Sequence, residues 1–259
     1  MSHTTAVILA AGKGTRMGSE LAKVLHPLAG RPLVAHVLAA CREAGIEDCV
    51  CVIGWQREAV RAVVEPLGAR CVVQDRQLGT GHAVQCAEGA VRGEEVLVLC
   101  GDAPLVDAAL IRRVLERHRA DANACTVVAA RLPDPTGYGR MITDGHGRLL
   151  AIVEHRDATP EQRAIDLVNS GLYCFRRAAL FTRLTALRPD NAQGEYYLTD
   201  VVAALVRDGE RVGLLVADDA ASVLGVNTPA DLALAERLHR QRHSPNIHIQ
   251  HTPASPPAL

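Results

Sequence analysis

A glycine-rich stretch near the amino terminus carries two cations and has the composition of a phosphate-binding loop. Three glycines follow the apolar run 6–9, and Arg16 and Lys23 lie in the same segment. Glycines let backbone N–H groups approach an anion closely, because no Cβ blocks the way. Arg16 and Lys23 would add positive charge at the same place. The stretch therefore predicts a loop that holds the phosphates of a nucleotide.

A carboxylate that follows a second apolar run, Asp102, is a candidate metal ligand. The run 96–100 is apolar throughout and leads into Gly101, Asp102, Ala103 and Pro104. Magnesium usually takes one or two protein oxygens and completes its octahedron with substrate phosphates and waters. An aspartate at such a position also caps the next turn with its own side chain. Position alone leaves both interpretations open.

Two other kinds of nucleotide loop fit the glycine-rich stretch less well. A dinucleotide-binding loop needs an acidic residue after the second strand, but residues 54–57 are Gly, Trp, Gln and Arg. The chain also lacks the pattern G-x-x-x-x-G-K-[ST] of a P-loop. A purely structural turn would not need Arg16 and Lys23 beside it. These comparisons argue against a dinucleotide loop and a P-loop and leave the stretch as a phosphate-binding loop of another kind.

Apolar runs alternate with amphipathic segments over the first half of the chain. Strands are predicted at 6–9, 49–53, 69–73, 96–100 and 125–130, with helices at 31–45, 58–64, 82–91 and 108–119. This alternation predicts an α/β fold with a mostly parallel sheet flanked by helices. Ligands of such sheets bind outside the carboxyl ends of the strands. Three loops are expected at that edge: 10–23, 74–80 and 101–104.

The pattern changes after Arg131, where turn residues become frequent. Runs 141–143 and 149–153 flank a turn at 144–147, which predicts a hairpin. A strand is expected at 168–175, and helices at 198–207 and from Pro229 to about Arg240. Residues 241–259 are rich in Pro, His and Ser and are predicted to form a disordered tail. Its histidines are expected to bind a metal only adventitiously; they are His243, His248 and His251.

The overall composition is that of a globular protein with an aliphatic core. The chain has 259 residues, of which 48% are hydrophobic and 3% aromatic, and its net charge is −1. This charge balance gives no reason to expect nucleic acid or a membrane surface as a partner. There is neither a signal-peptide pattern nor an apolar run of membrane-spanning length, so a cytoplasmic location is expected. The 8 cysteines lie mostly in strand-like runs without a C-x-x-C pair and are predicted to be reduced thiols.

Several segments, taken together and in order, resemble the sugar-1-phosphate nucleotidylyltransferases, and more narrowly the uridylyltransferase half of the bifunctional bacterial GlmU family. They are residues 9–17, 23–25, 74, 78–82, 101–105, 134–140, 152–155, 169–171, 193–200 and 225–227. The resemblance implies a Rossmann-like nucleotidyltransferase domain over 1–240. It divides this domain into a nucleotide-binding part (about 1–130) and a smaller β-rich sugar-binding part (131–227). The implied reaction converts UTP and N-acetylglucosamine 1-phosphate into UDP-N-acetylglucosamine, a peptidoglycan precursor, and pyrophosphate.

The resemblance also assigns roles position by position. The implied nucleotide-binding residues are Leu9, Ala10, Ala11, Gly12, Gly14, Thr15, Gln74, Gly79, Thr80 and Gly101. The implied catalytic residues are Arg16, Lys23 and Asp102, and the implied sugar-binding residues are Gly139, Glu154, Asn169, Tyr197 and Thr199. Mg²⁺ is the implied cofactor, with Asp102 and Asn227 as its ligands. By position alone, Asn169 could equally be a strand residue and Asn227 a helix cap.

Three departures from the family pattern affect these expectations. Ala22 stands where the family usually has proline, which could loosen the loop that aims Lys23, and Cys100 stands where tyrosine is frequent. The chain also shows no hexapeptide repeats of the β-helix that carries the family's acetyltransferase and trimerises it. We therefore expect no acetyltransferase activity, and a monomer becomes possible.

Two alternative functions remain at this stage. One keeps the chemistry and changes the sugar 1-phosphate or the nucleotide, for example to dTTP. The other is a non-catalytic nucleotide-sugar-binding protein. The presence of Lys23, Asp102 and Asn227 together favours the enzyme, because a binding protein has no need to keep metal ligands.

Overall fold

A computed structural model describes residues 4–243, in which strands and helices alternate around one large sheet. The strands are β1 (Thr4–Ala10), β2 (Pro27–Leu28), β3 (Arg31–Pro32), β4 (Cys49–Ile53), β5 (Arg70–Val73), β6 (Glu95–Cys100), β7 (Cys125–Arg131), β8 (Arg140–Thr143), β9 (Leu149–Val153), β10 (Leu167–Arg176) and β11 (Val212–Val216). The helices are α1 (Leu33–Glu43), α2 (Arg57–Val64), α3 (Thr80–Cys86), α4 (Ala108–Ala120), α5 (Pro160–Arg163), α6 (Arg177–Leu184), α7 (Leu198–Arg207) and α8 (Pro229–His243).

The main sheet has the strand order β11-β7-β10-β6-β1-β4-β5, and the hairpin of β8 and β9 joins it beside β10. Strand β1 pairs in parallel with β4 and β6, β4 with β5, and β7 with β11. Strand β10 alone on this path runs antiparallel to both its neighbours, β6 and β7. The predicted α/β fold with a mostly parallel sheet is therefore confirmed.

Each face of the sheet is covered by a different set of helices. Ile8 and Cys51 pack on one face against apolar residues of α1, α2 and α4. Val7 and Val50 pack on the opposite face against α3, α6 and α7. Neighbouring residues of a strand point to opposite faces, so strands buried on both sides must be apolar at every position. This requirement explains the continuous apolar runs from which the strands were predicted.

Most predicted elements are present, with shifts at some ends and a few omissions. The helix predicted at 82–91 begins at Thr80 and ends at Cys86, and a short 3-10 turn follows over 88–90. Helix α8 continues beyond Arg240 to His243, so the predicted tail begins within a helix; its remainder, 244–259, lies outside the described residues. The sequence reasoning missed β2, β3, α5, α6 and β11. Arg31 and Pro32, which were predicted to open a helix, form β3, and α1 begins at Leu33. Helix α6 follows β10 without an intervening turn residue, and the glycine in β11 weakens its strand pattern.

The second half of the chain contributes directly to the main sheet. Strand β10 belongs to the predicted sugar-binding part, yet it lies between β6 and β7. Its beginning pairs with the end of β7, because the two strands are antiparallel. The first residues of β10 therefore lie at the same edge as the carboxyl ends of β6 and β1.

Among the helices of residues 4–243, none has the length and apolar character needed to cross a membrane.

Candidate active site

Two adjoining cavities open at the edge of the sheet where the three loops were expected. The larger has a volume of about 480 Å³ and the smaller about 270 Å³. Residues that line both are Leu9, Thr80, Cys100 and Asp102. The smaller cavity is also lined by Ala10, Ala11, Gly12, Lys23, Gln74 and Gly79, and the larger by Arg16, Gly139, Glu154, Asn169, Thr199 and Asn227. Apart from Leu9 and Thr80, which line both, the implied nucleotide and sugar residues separate into two compartments, and Asp102 is among the residues where the two meet.

The glycine-rich loop lies against Lys23. Gly14 has a φ of +67°, in the left-handed region that favours glycine. A Cβ on Gly14 would lie 2.5 Å from the Cβ of Lys23, closer than real Cβ atoms approach one another. The loop is joined to the end of β4 by the N–H of Trp55, which donates to the Ala11 carbonyl at 3.1 Å. The absence of a side chain at Gly14 therefore allows Lys23 to lie where it does.

The opposite wall of the smaller cavity is formed by the loop after β5. The Gln74 side chain is 3% exposed, and its amide donates to the Gly79 carbonyl at 3.1 Å. Gly79 has a φ of +109°, and a Cβ there would lie 2.6 Å from the Tyr196 carbonyl oxygen. The Thr80 hydroxyl accepts from the Leu198 N–H at 3.1 Å. These contacts attach the loop to the start of α7 and hold Gln74 against the cavity.

Four polar side chains converge at the junction of the two cavities. The Lys23 ammonium forms an ion pair with Asp102 and donates to Asn227 Oδ1 at 2.9 Å. Arg16 donates to the same Asn227 oxygen at 2.9 Å. The N–H of Val226 donates to the Asp102 carbonyl at 2.8 Å, which joins the loop before α8 to the loop after β6. The structure thus brings together residues that are up to 211 positions apart in the sequence.

The junction has a donor set that fits Mg²⁺. Asp102 and Asn227 offer a carboxylate and an amide oxygen, which are hard ligands suited to this ion. A Cβ on Gly225 would lie 3.3 Å from Asn227 Nδ2 and 3.8 Å from Asp102 Oδ1, so the bare backbone leaves room beside both side chains. Residues 4–243 contain no cluster of three or more His, Cys, Asp or Glu side chains suited to hold a metal. An ion at this junction would therefore need phosphate or water ligands as well.

The residues implied to bind the sugar lie around Glu154 in the larger cavity. Glu154 Oε1 accepts from the Thr199 hydroxyl at 3.2 Å. Burial raises the pKa of the Glu154 carboxyl; the Thr199 hydrogen bond opposes this shift, and the nearby carboxylate of Asp157 adds to it. The Asn169 N–H donates to the Gly139 carbonyl at 2.8 Å. A half-buried carboxylate and an amide at this position can accept from and donate to sugar hydroxyl and amide groups.

Some of the implied site residues do not line either cavity. Tyr197 is 6% exposed, and its hydroxyl donates to Asp157 at 3.2 Å and accepts from Gln193 at 2.8 Å. It therefore supports the segment after Glu154 instead of facing the larger cavity. Gly14, Thr15 and Gly101 are also outside the two linings, and they shape the loops through their backbones.

Several cavity-lining residues were missed by the sequence reasoning. They include Gln77 and Glu195 on the smaller cavity and Tyr138, Ser170, Tyr173, Thr228 and Asp231 on the larger. Asp231 accepts from the N–H groups of Asn227 at 3.0 Å and Thr228 at 2.8 Å, so it holds the Asn227 backbone at the start of α8. The capping pattern at 228–231 was visible in the sequence, but its place beside the junction was not.

Ala22 and Cys100, the two residues that depart from the family pattern, both lie at or near the site. Ala22 is fully buried, and its N–H donates to the side-chain oxygen of Gln56 at 2.8 Å, a bond that proline could not make. Cys100 lines both cavities, and burial raises the pKa of its thiol to about 12. The thiol therefore stays protonated near neutral pH.

Comparisons with known proteins show the family of the chain. A family model for the MobA-like NTP transferase domain matches residues 6–207. The chain is 46% identical over 245 residues to the bifunctional protein GlmU of Pelobacter propionicus, covering 93% of this chain and 53% of that protein. It is 44% identical over 243 residues to GlmU of Desulfotalea psychrophila, covering 93% of this chain and 72% of that protein. The chain spans about half the length of most of the curated relatives that it matches.

A solved structure shares the fold. The crystal structure of a Bacillus anthracis protein assigned as a glucose-1-phosphate thymidylyltransferase superposes with a TM-score of 0.75 at 21% identity. The superposition covers 92% of this chain and 95% of that protein. At this level of identity the likeness concerns the architecture and not the substrate.

Proposed function

The chain belongs to the MobA-like NTP transferase domain family and corresponds to the nucleotidyltransferase half of GlmU proteins, and from this premise we propose that it is a sugar-1-phosphate uridylyltransferase. The proposed reaction joins UTP and N-acetylglucosamine 1-phosphate to give UDP-N-acetylglucosamine and pyrophosphate. The observation that carries the proposal is the pair of cavities that meet at Asp102. A nucleotide in one and a sugar in the other would bring their phosphates together at this residue.

The chemistry requires little acid–base assistance. A phosphate monoester, with a second pKa of about 6, is already mostly a dianion at neutral pH and can attack the α-phosphorus directly. The main difficulties are bringing two anions together in line and stabilising charge on the departing pyrophosphate. Positioning and electrostatic stabilisation must therefore supply most of the rate.

The residues at the junction can meet both needs. Backbone N–H groups of the glycine-rich loop, Arg16 and Lys23 would hold the phosphates of UTP and offset the charge that develops on the leaving group. Asp102 and Asn227 would hold Mg²⁺, which supplies additional positive charge to the phosphates when it is bound. Arg16 and Lys23 already contact these two side chains, so the cations lie next to the place where the phosphates are expected.

The two ends of the substrates would be recognised by different side chains. Gln74 lies at the wall of the smaller cavity, where its amide oxygen would accept from the N–H of uracil; its amide nitrogen already contacts Gly79 and His82. In the larger cavity, Glu154 would accept from sugar hydroxyls. Asn169 would bind the N-acetyl group. Of these contacts, the one from Asn169 would favour an N-acetylated sugar, whereas Gln74 alone would not separate UTP from dTTP, because thymine has the same hydrogen-bonding edge as uracil.

A screen of substrate pairs tests the proposal. Pyrophosphate release is measured with Mg²⁺ for UTP, dTTP, CTP, ATP and GTP, each with several sugar 1-phosphates, and with Asp102→Asn as the inactive control. We expect the highest kcat/KM for UTP with N-acetylglucosamine 1-phosphate. A higher value for another pair would replace the proposed substrates, and the binding of UDP-N-acetylglucosamine without any turnover would make the chain a sensor. Trp55 is the single tryptophan and lies beside the glycine-rich loop, so its fluorescence can report nucleotide binding.

A further inference from the structure

Arg140 is a charged side chain in the interior of the sugar-side half. It is 1% exposed and heads the largest fully buried side chains of the described residues. Arginine is rarely buried to this extent without a carboxylate partner. Within residues 4–243, however, no carboxylate lies within ion-pair distance of its guanidinium. The contacts that replace a carboxylate show what this residue does.

The guanidinium donates to three acceptors from three separate segments. Its Nε and Nη2 atoms donate to the Arg163 carbonyl at 3.3 and 3.2 Å, and Nη1 donates to the Tyr138 carbonyl. Nη2 also donates to His155 Nδ1 at 3.3 Å. This contact requires a neutral His155 ring, and burial together with the nearby cations lowers the pKa of His155. Every acceptor lost would leave a buried N–H group of a charged side chain unsatisfied, which is costly.

Arg140 lies in the middle one of three paired strands, so its backbone has a partner residue on each side. In β8 it pairs with Val153 of β9 on one side and with Val168 of β10 on the other. Gly139 precedes Arg140, Glu154 follows Val153, and Asn169 follows Val168 in the sequence. The three residues assigned to the sugar are therefore also neighbours, one residue along from the paired Val153, Arg140 and Val168. The side chain of Arg140 ties the segments on which they lie: Tyr138 precedes Gly139, and His155 follows Glu154.

We infer that Arg140 is the positioning residue of the sugar side. By holding Tyr138, His155 and Arg163 at once, it sets the positions of Gly139 and Glu154 and, through the backbone bond from Asn169 to Gly139, of Asn169. This inference rests on the proposed function, since it takes the larger cavity to be the sugar site. It extends that function to a residue that lines neither cavity.

The test compares substitutions that change the anchor and leave the cavity linings intact. Arg140→Lys keeps the charge, but its three donors sit on one nitrogen at the end of a flexible stem and cannot reproduce the planar fork that reaches three separate segments. Kinetics are measured against each substrate separately. We expect the KM for the sugar 1-phosphate to rise about tenfold or more, while the KM for UTP changes by less than about twofold. A merely structural residue would lower the thermal stability and affect both substrates alike.

A matched pair at His155 keeps the inference testable if Arg140 variants fold poorly. Asparagine can place an acceptor oxygen where the histidine has Nδ1, and leucine cannot. We expect His155→Leu to raise the sugar KM and His155→Asn to restore most of it, with UTP binding unchanged in both. Equal effects of the two substitutions, or equal shifts of both KM values in Arg140→Lys, would overturn the inference.

The failure of the proposed function can be distinguished from the failure of this inference. If the unmodified protein turns over no sugar 1-phosphate, the function fails, and hydrogen exchange then decides the role of Arg140. In that experiment Arg140→Lys should speed amide exchange in 137–142, 153–157 and 167–171 and leave 9–25 unchanged. Unchanged exchange in the first three segments would contradict the anchoring role.

Discussion

The proposed nucleotide side of the candidate active site (the smaller cavity and the glycine-rich loop) and the proposed sugar side (the larger cavity) are built by different means. On the nucleotide side, loops present backbone groups, and glycines such as Gly14 and Gly79 let those loops pass close to neighbouring atoms. On the sugar side, side chains such as Glu154 and Asn169 project from strands β8–β10 and adjacent segments, anchored by buried groups. A backbone cradle can accept any phosphate, whereas side chains must match one sugar. The comparison predicts that substitutions on the two sides will affect different kinetic constants.

The largest effect is expected at Asp102, which belongs to both sides. Asp102→Asn removes the carboxylate at the junction and should lower kcat by about a thousandfold, because charge stabilisation at the phosphates is lost. Circular dichroism and the fluorescence response of Trp55 to UTP should remain near those of the unmodified protein. Substantial turnover of this variant with Mg²⁺ would contradict the assignment of Asp102 as a metal ligand.

A sugar-side substitution should change only one KM. Glu154→Gln replaces a charged acceptor with a neutral one and should raise the KM for the sugar 1-phosphate about tenfold to a hundredfold. The KM for UTP should stay the same, because Glu154 lines only the larger cavity. Steady-state kinetics with each substrate varied in turn provide the measurement, and a parallel rise in the KM for UTP would break the distinction between the two sides.

The raised pKa of Glu154 adds a pH dependence to the sugar side. Because burial favours the protonated carboxyl, Glu154 takes up a proton at a higher pH than an ordinary glutamate. The KM for the sugar 1-phosphate should therefore increase as the pH falls through this raised pKa. The Glu154→Gln variant should lack this increase. The same dependence persisting in the variant would assign it to another group.

A matched pair of glycines separates backbone strain from the positioning of Lys23. Gly14 and Gly18 have φ values of +67° and +62°, so alanine at either position should cost about 1 kcal/mol of stability. Only at Gly14 would the new Cβ meet Lys23; nothing lies within 4 Å of the position at Gly18. Gly14→Ala should therefore lower kcat about tenfold or more while Gly18→Ala retains activity. Equal activities of the two variants would show that Lys23 needs no fixed position.

The smallest effect is expected at Ala22. Its φ of −54° lies within the range of proline, but its N–H donates to Gln56 at 2.8 Å. In Ala22→Pro, proline restricts the conformations of the unfolded chain, and this stabilising effect should offset the lost hydrogen bond. The free energy of unfolding should therefore change by about 1 kcal/mol or less. Denaturant unfolding measures this change. A loss of several kcal/mol would show that Gln56 cannot release the bond without strain.

Much of the nucleotide side could be predicted from local sequence. The glycine-rich loop and Asp102 follow apolar strands directly, and parallel strands place such loops at one edge of a sheet. Other features depend on contacts that no local pattern encodes. Tyr197, implied to contact the sugar, contacts Asp157 and Gln193 and lines neither cavity. The cavity-lining residues Tyr173 and Asp231 carry no local signal of their position. Ala22, which the sequence marks as a weak point, has its bond to Gln56 only because β4 and the loop lie side by side.

By itself, the sequence determined most of the strands, most of the helices and the chemical character of the proposed phosphate loop, because hydrophobic periodicity and glycine placement act over a few residues. The tertiary structure decided which distant residues meet. It brought Asn227 beside Arg16 and Lys23, inserted antiparallel β10 between β6 and β7, and buried Arg140 at the centre of the sugar side. Such contacts arise from sheet order and from the need of each buried polar group for a partner, and neither requirement can be read from neighbouring residues alone.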